Sequence, residues 1–316
     1  MKPTPIAMEN SAPLQPVILV TGGHGLLGSR LVPLLARDVP GAEIIVVTRN
    51  EKQRHTGGSW TTTIRGDLRD ENLWTRIPAT ITHVFHLAAV IPWRVEDRHK
   101  ASIVTDNLLP LANLIEHSQR WANLRQVIYS SSVSVYSQTD KFLAEDSPQQ
   151  PATLYGASKL AGEKLLYSLE ACGVQTVSLR LSSLYGYGQY QGTVLPIMIE
   201  RVMKKRDILI FGDETRTQDF LHCEDAAQAI LLSFQKRAKG VYNVGSGTPV
   251  SMAELAAVVD RVFTGGTTRV VFQPERADSD PGIKLDIGKA RRELNYRPQI
   301  DLANGLQKLK QELNAP

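Results

Sequence analysis

The stretch Pro16–Asp38, PVILVTGGHGLLGSRLVPLLARD, decides the fold. It opens on a short β-branched run of strand length, passes through a turn rich in glycine, and continues with apolar residues at helical spacing. A second apolar run, AEIIVVTRN, follows at 42–50. Strand, turn, helix and strand in this order predict a βαβ unit, whose two strands lie parallel because the helix carries the chain back.

The alternation continues through TTTIRGDL, HVFHLAA, a helical pattern around Leu108, Leu111, Ala112 and Ile115, then RQVIYSSS, a helix carrying Tyr155, and QTVSLRLSS. Strands that are apolar throughout, alternating with helices, predict an α/β fold: a doubly wound parallel sheet covered on both faces. From about Tyr185 the spacing loosens into polar, glycine-containing loops such as YGYGQYQGT, GDETRTQDF and RADSDPG. The expected organisation is an N-terminal tail over 1–16, a larger α/β domain over 17–184, and a smaller region over 185–316. Some late segments of that region are expected to return to the larger domain.

Composition excludes several classes. The 316 residues are 42% hydrophobic, enough for a globular core, and the formal net charge of +4 is spread along the chain. The densest basic run, RVMKKRD at 201–207, fits a helix end, where cations meet the negative pole of the dipole; no aromatic stacking ladder turns it into a nucleic-acid surface. The two cysteines, Cys172 and Cys223, have no C-x-x-C spacing, which argues against a disulfide scaffold or a thiolate metal site and for a reducing compartment. The opening MKPTPIAMENSAPLQP lacks an apolar signal core, and no apolar run reaches membrane-spanning length. A cytoplasmic protein without nucleic-acid or membrane partners is expected.

Within TGGHGLLG, Gly22, Gly25 and Gly28 follow a strand and open a helix. Glycines there allow a tight turn, admit backbone N–H groups to a pyrophosphate and let helix and strand pack closely, while the helix N-terminus attracts the anion. About 20 residues on, where a carboxylate would hold an adenosine ribose diol, the chain reads Thr48, Arg49, Asn50. Without an acid, and with a guanidinium suited to a 2′-phosphate, the residues favour NADP over NAD. The alternative is that Arg49 is a solvated strand-end charge.

The serine cluster of YSSSVSVYS at 129–137 and the pair in YGASK, Tyr155 and Lys159, form a second constellation. A phenol ionises near pH 10, too high for proton transfer at neutrality unless its anion is stabilised. A lysine one helical turn away supplies that charge, and a serine hydroxyl at a strand end can orient a substrate oxygen toward the phenol. Among other candidates, His83 and His86 in HVFH are three apart on a strand and point to opposite faces, so they suit structural roles rather than a shared metal. His24 is placed either to line cofactor phosphates or to face solvent, and Trp93 is either a packed surface aromatic or part of a substrate loop.

Taken together, TGGHGLLG, GDL at 66–68, HLAA at 86–89, YSSS, YGASK and YNVGSG at 242–247 resemble the extended short-chain dehydrogenase/reductase family, and within it the nucleotide-sugar epimerase/dehydratase branch. The resemblance runs from about Val17 to Pro298 and implies a Rossmann-type fold. It assigns Tyr155 as catalytic acid/base, Lys159 as its activator and ribose ligand, and Ser132 as the hydroxyl that orients substrate. It further implies that 17–184 is the dinucleotide-binding domain and 185–316 mainly the substrate-binding region, with cofactor contacts from Asp67, Leu68 and Ala88 and, beside them, Leu26, Leu27, Leu87 and Ala89, in addition to Gly22, Gly25, Gly28 and Arg49 read above.

Branch members that eliminate water place Asp and Glu directly after the catalytic Ser or Thr, and decarboxylases place a Glu there; this chain has Val133 and Ser134. That leaves hydride transfer without an acidic helper: a nucleotide-sugar epimerase working through transient oxidation at C4 or, as the alternative, an NADPH-dependent 4-keto-sugar reductase. The serine cluster favours the epimerase. A catalytically silent dinucleotide sensor, a third reading, fits poorly with the retained tyrosine and lysine. By resemblance, Ser183, Arg216, Arg276 and Asp280 would touch the nucleotide diphosphate sugar. The chain departs from the branch at Gln218, where Arg is usual, and at Ser183, where Asn is usual. The helices around 108–115 and 155–169 resemble those that pair in the family's homodimers.

Overall fold

The computed structural model describes residues 15–49, 61–92, 95–137, 139–189, 192–273 and 282–314. Residues 1–14 of the expected tail, Trp93, Arg276 and Asp280 lie outside the described residues. The first half runs β1 (Val17–Thr21), α1 (Gly28–Asp38), β2 (Glu43–Thr48), β3 (Thr61–Arg65), α2 (Glu71–Thr75), β4 (His83–His86), α3 (Ser102–Ser118), β5 (Gln126–Ser132), β6 (Phe142–Leu143), α4 (Leu154–Glu170) and β7 (Gln175–Leu181). The second half runs β8 (Ser183–Tyr185), α5 (Val194–Met203), β9 (Ile208–Phe211), β10 (Thr217–Gln218), β11 (Phe220–His222), α6 (Cys223–Gln235), β12 (Gly240–Val244), β13 (Val250–Ser251), α7 (Met252–Thr264), β14 (Val270–Gln273), β15 (Lys284–Leu285), α8 (Gly288–Glu293) and α9 (Leu302–Asn314).

Seven parallel strands form the central sheet in the order β12-β7-β5-β4-β1-β2-β3. The chain winds outward from β1 through β2 to β3, then restarts at β4 on the other side of β1 and continues to β12. Strand order therefore reverses between β1 and β4, and the crevice beyond their carboxyl ends is where doubly wound sheets bind ligands. The inner strands β1, β2 and β4 are buried on both sides because each face is covered, while the edge strand β3 buries only Ile64. Ile18, Val20, Phe85 and Ile128 share one core with residues of α1 and α6, and Leu19, Val84, Val127 and Tyr129 share another with residues of α2, α3 and α4.

A third core joins Leu195, Met198 and Val202 of α5 to Ile208, Phe220, Leu255, Val259 and Leu306. It gathers the smaller parallel pairs β9·β14 and β8·β11 beside the central sheet. Gly240–Val244, late in the chain, rejoins the central sheet against β7. The run 201–207 closes α5: Arg201 lies in its last turn and donates from Nε to the Asp207 carbonyl at 2.5 Å. Among the described residues no helix is long and apolar enough to cross a membrane.

Candidate active site

The site grows from the reversal in strand order. Leaving β1 at Thr21, the backbone turns left-handed at Gly22 (φ 71°), where a Cβ would stand 2.7 Å from the Ala88 nitrogen. The loop therefore lies directly on the end of β4, whose Leu87 N–H donates to the Thr21 carbonyl. At Gly28 a Cβ would come within 2.3 Å of the Gly22 carbonyl oxygen, so helix and loop touch backbone to backbone. Gly25 differs: a Cβ there would meet only the Gly22 oxygen, at 3.3 Å, and otherwise open space. Helix α1 starts over this turn with no side-chain cap and no acid in its first turn. An open glycine face beneath an uncapped helix N-terminus suits a pyrophosphate.

Around the turn, Leu26, Leu87, Ala88 and Ala89 are half-buried and Leu27 is buried. Arg49 is exposed just past the end of β2, and neither Thr48 nor Arg49 offers a carboxylate. Asp67 is gripped by Arg69 at 2.7 and 3.0 Å, and this contact holds its carboxyl down at about 2; the field of Arg49 adds to the effect. The Leu68 carbonyl accepts from Trp74 Nε1 at 2.9 Å and Asn113 Nδ2 at 3.1 Å, which pins the β3–α2 turn.

On the other side of the crevice, β5 ends at Ser132. The Ser132 hydroxyl accepts from the Ser134 N–H at 3.1 Å and donates to the Ser134 hydroxyl at 3.2 Å. This starts a one-turn 3-10 helix at Val133–Val135, with Val133 buried and no carboxylate in the turn. A Cβ on Gly156 would stand 2.1 Å from the Ser134 carbonyl oxygen, so α4 is seated hard against that turn. Helix α4 is capped by Thr153, whose hydroxyl accepts from the Gly156 N–H. Its first turns carry Tyr155 and Lys159 on one face.

Burial pushes the Tyr155 phenol up to about 12, and hydrogen bonding from Ser132 pulls against that rise. Lys159 is buried; desolvation lowers its ammonium to about 7, with Glu163 acting in the opposite direction. The ammonium donates to the Ser130 carbonyl at 2.7 Å and lies 4.7 Å from the Tyr129 ring centre and 5.9 Å from that of Tyr155. The expected trio of Ser132, Tyr155 and Lys159 thus converges at the carboxyl edge of the sheet, on the β5 side of the crevice between β1 and β4.

The remaining expected residues have other partners. Ser183 receives a hydrogen bond from the Gln218 amide, so the two positions that depart from the branch pattern partner each other. Arg216 is half-buried, with Nη2 against Met252 Sδ at 3.8 Å. His83 and His86 separate as expected: His83 is edge-on to Phe234, while His86 bonds the Thr21 hydroxyl at 3.0 Å and stacks on Tyr129. Burial takes His86 down to about 3, which keeps it neutral.

Sequence reasoning missed three side chains that hold the site. Asn107, buried on α3, accepts from the Val90 N–H, donates back to the Val90 carbonyl, and donates to Ser158, whose hydroxyl donates to the Tyr155 carbonyl. A polar residue within an apolar helical stripe was the available signal. Glu163 and Arg180, the other two, form an ion pair with both side chains 1% exposed.

A tight glycine turn at a strand-order reversal, facing a Ser–Tyr–Lys trio, defines a dinucleotide-dependent dehydrogenase/reductase of the short-chain type. Residues 18–245 match the model of the NAD dependent epimerase/dehydratase family. The chain is 30% identical to a dTDP-glucose 4,6-dehydratase of Streptomyces niveus over 303 residues, covering 92% of this chain and 90% of that one. Its fold superposes on a Thermotoga maritima UDP-glucose 4-epimerase solved with UDP-glucose at a TM-score of 0.83, with 27% identity over 94% of this chain and 98% of the other. It also superposes on a Thermus thermophilus UDP-glucose 4-epimerase in complex with NAD at a TM-score of 0.81, with 25% identity over 94% and 99%. The chain belongs to the NAD dependent epimerase/dehydratase family, within the extended short-chain dehydrogenases/reductases. Its cofactor is a nicotinamide dinucleotide, and the open Gly25 face beneath the uncapped start of α1 fits its pyrophosphate.

Proposed function

We propose that this protein interconverts C4 epimers of a nucleotide sugar. One observation carries the choice within the family: the turn after Ser132 presents buried Val133 and the Ser134 hydroxyl instead of carboxylates. Elimination of water needs a group to take a proton from carbon and another to protonate the leaving hydroxyl. The turn after Ser132 supplies neither, although a 30% identical relative is a 4,6-dehydratase.

The bound nicotinamide supplies hydride acceptance and return. Tyr155 removes the C4 hydroxyl proton and later restores it, while Ser132 hydrogen-bonds the same oxygen and orients it. The Lys159 ammonium lowers the cost of the phenolate, and its bond to the Ser130 carbonyl fixes its position. Burial makes these terms strong, because charge separation in a water-poor crevice is poorly screened.

The same proposal includes NADP in preference to NAD, supported by exposed Arg49 and by the absence of a carboxylate at Thr48 and Arg49. It divides the chain near 184/185 and places the nucleotide diphosphate against the later region, with Ser183, Arg216, Arg276 and Asp280 as contacts. It includes a cytoplasmic homodimer, supported by the free cysteines Cys172 and Cys223 and by Leu109, Leu165 and Tyr167 standing exposed on α3 and α4.

The test is incubation with UDP-, dTDP-, GDP- and CDP-sugars and catalytic dinucleotide, followed by mass spectrometry and NMR. Products isomeric with substrate are expected. Loss of water from the product would instead mean a dehydratase, and gain of two hydrogens with stoichiometric NADPH consumption a reductase.

A further inference from the structure

Beneath the trio lies a buried charge cluster that takes no part in the chemistry above. Glu163 is one helical turn beyond Lys159 on α4, so both point toward the sheet. Its carboxylate receives Arg180 in a forked contact, Nε to Oε1 at 2.9 Å and Nη2 to Oε2 at 2.7 Å. The Ser131 hydroxyl donates to Oε1 at 2.5 Å. Ser131 and Arg180 are register partners across β5 and β7, so one carboxylate joins two strands and the helix. Arg180 is fixed in turn by the Glu145 carbonyl at 2.9 Å and by the Tyr136 ring, 4.7 Å from its guanidinium.

Position in the chain gives this cluster its meaning. Ser131 lies between Ser130, whose carbonyl holds the Lys159 ammonium, and Ser132, which faces Tyr155. Anchoring Ser131 therefore sets the two neighbouring contacts together. Electrostatically, Glu163 is an anion beside a desolvated ammonium, and Arg180 tempers how much of that charge Lys159 feels. A buried ion pair of this kind is weak evidence for stability, since an apolar pair of equal volume often does as well, so a role in fixing the site is the better account of it.

We propose that Glu163, held by Arg180, is a positioning residue of the active site: it keeps Lys159 cationic and fixes the Ser130–Ser132 strand end against Tyr155. The proposal rests on the reading of Ser132, Tyr155 and Lys159 as the reacting trio. The charged and titratable groups around Lys159 are Tyr155 and Glu163 on its own helix, Tyr129 on β5 and His86 on β4, with Arg180 of β7 behind Glu163. Removing Glu163 takes away the carboxylate that favours the charged form of Lys159, and so drives the proton off it. Removing Arg180 leaves Glu163 uncompensated and holds that proton more tightly.

The experiment is an NMR titration of the protein carrying ¹⁵N at lysine Nζ, without substrate, with the Lys159 resonance identified through Lys159→Arg. The expected result is a Lys159 midpoint lower by at least about one pH unit in Glu163→Gln and higher in Arg180→Met. Because either single variant leaves a buried charge unpaired, the double variant Glu163→Gln/Arg180→Met, which buries none, is measured as well; its midpoint is expected to lie between the two. Steady-state assays with the nucleotide sugar identified as substrate are expected to show kcat down at least about tenfold in Glu163→Gln with KM within about twofold, and partial recovery in Glu163→Asp. Midpoints that stay at the parent value, or move the same way in both single variants, overturn the proposal; so does a double variant with parental kcat. Absence of turnover by the parent with every nucleotide sugar would count against the proposed function, while the titration still decides this inference.

Discussion

The Lys159 ammonium donates to the Ser130 carbonyl at 2.7 Å, two residues before the serine that faces Tyr155. The end of β5 thus contacts Lys159 through one serine and Tyr155 through another, so the proposed acid/base pair and the proposed substrate-orienting hydroxyl are held by one strand end.

Replacing the phenol is the most direct check. Tyr155→Phe keeps the ring in its half-buried place and deletes only the proton-transfer group. Turnover should fall by at least about a hundredfold, the usual scale for a general acid/base. Cofactor affinity, read by fluorescence titration, should stay near the parent value. Unchanged turnover would remove Tyr155 from its role.

Lys159 also makes stability depend on pH. Its ammonium is lowered from 10.5 to about 7 in the folded protein. Between those values the unfolded chain binds the extra proton, so this group's contribution becomes more favourable to folding as pH rises through the window. Below it, both states are protonated and the full desolvation cost is present. Lys159→Met should therefore melt higher than the parent near pH 7, and the gap should narrow toward about pH 10.5. A gap that widens across this range contradicts the assignment.

His86 acts at the acid end. Its imidazole is lowered from 6.5 to about 3 by burial, with the Lys159 charge adding to the effect. As pH falls through that window the unfolded chain takes up a proton that the folded site refuses, and stability is lost. Denaturant midpoints measured between these values should fall less steeply for His86→Gln than for the parent.

The glycine turn separates binding from folding. At Gly25 an added methyl meets only the Gly22 oxygen, at 3.3 Å, whereas at Gly28 it would overlap the loop backbone at 2.3 Å. Gly25→Ala should melt near the parent temperature yet bind dinucleotide at least about tenfold more weakly, because the methyl occupies the face offered to the phosphates. Gly28→Ala should lose stability outright. Equal cofactor affinity in Gly25→Ala and parent would place the pyrophosphate elsewhere.

Arg49 tests cofactor choice. NADP(H) should bind more tightly than NAD(H), and Arg49→Ala should shrink the difference through loss of a guanidinium–phosphate contact. Equal affinities in the parent would refute the preference.

Much of this molecule was legible from residue order. The run Val17–Thr21 followed by three spaced glycines specifies a tight strand-to-helix turn, and continuously apolar strands separated by helices specify a parallel sheet, since only a sheet covered on both faces buries such strands. Tyr155 and Lys159 could be paired because four residues bring side chains together on any helix. What lies within one turn of helix or one strand is set by local geometry, which the sequence carries directly.

Arg180 shows where that legibility stops. Nothing near QTVSLRLSS says that its arginine meets Glu163, 17 residues earlier, and Ser131, on a strand separated from it by a whole helix. The contact exists because β5 and β7 are neighbours with Ser131 opposite Arg180, and because α4 lies across both. Strand order and register are chosen by the summed burial of the whole sheet, so the trio was readable from its own spacing while the ion pair beneath it came into being only with the tertiary structure.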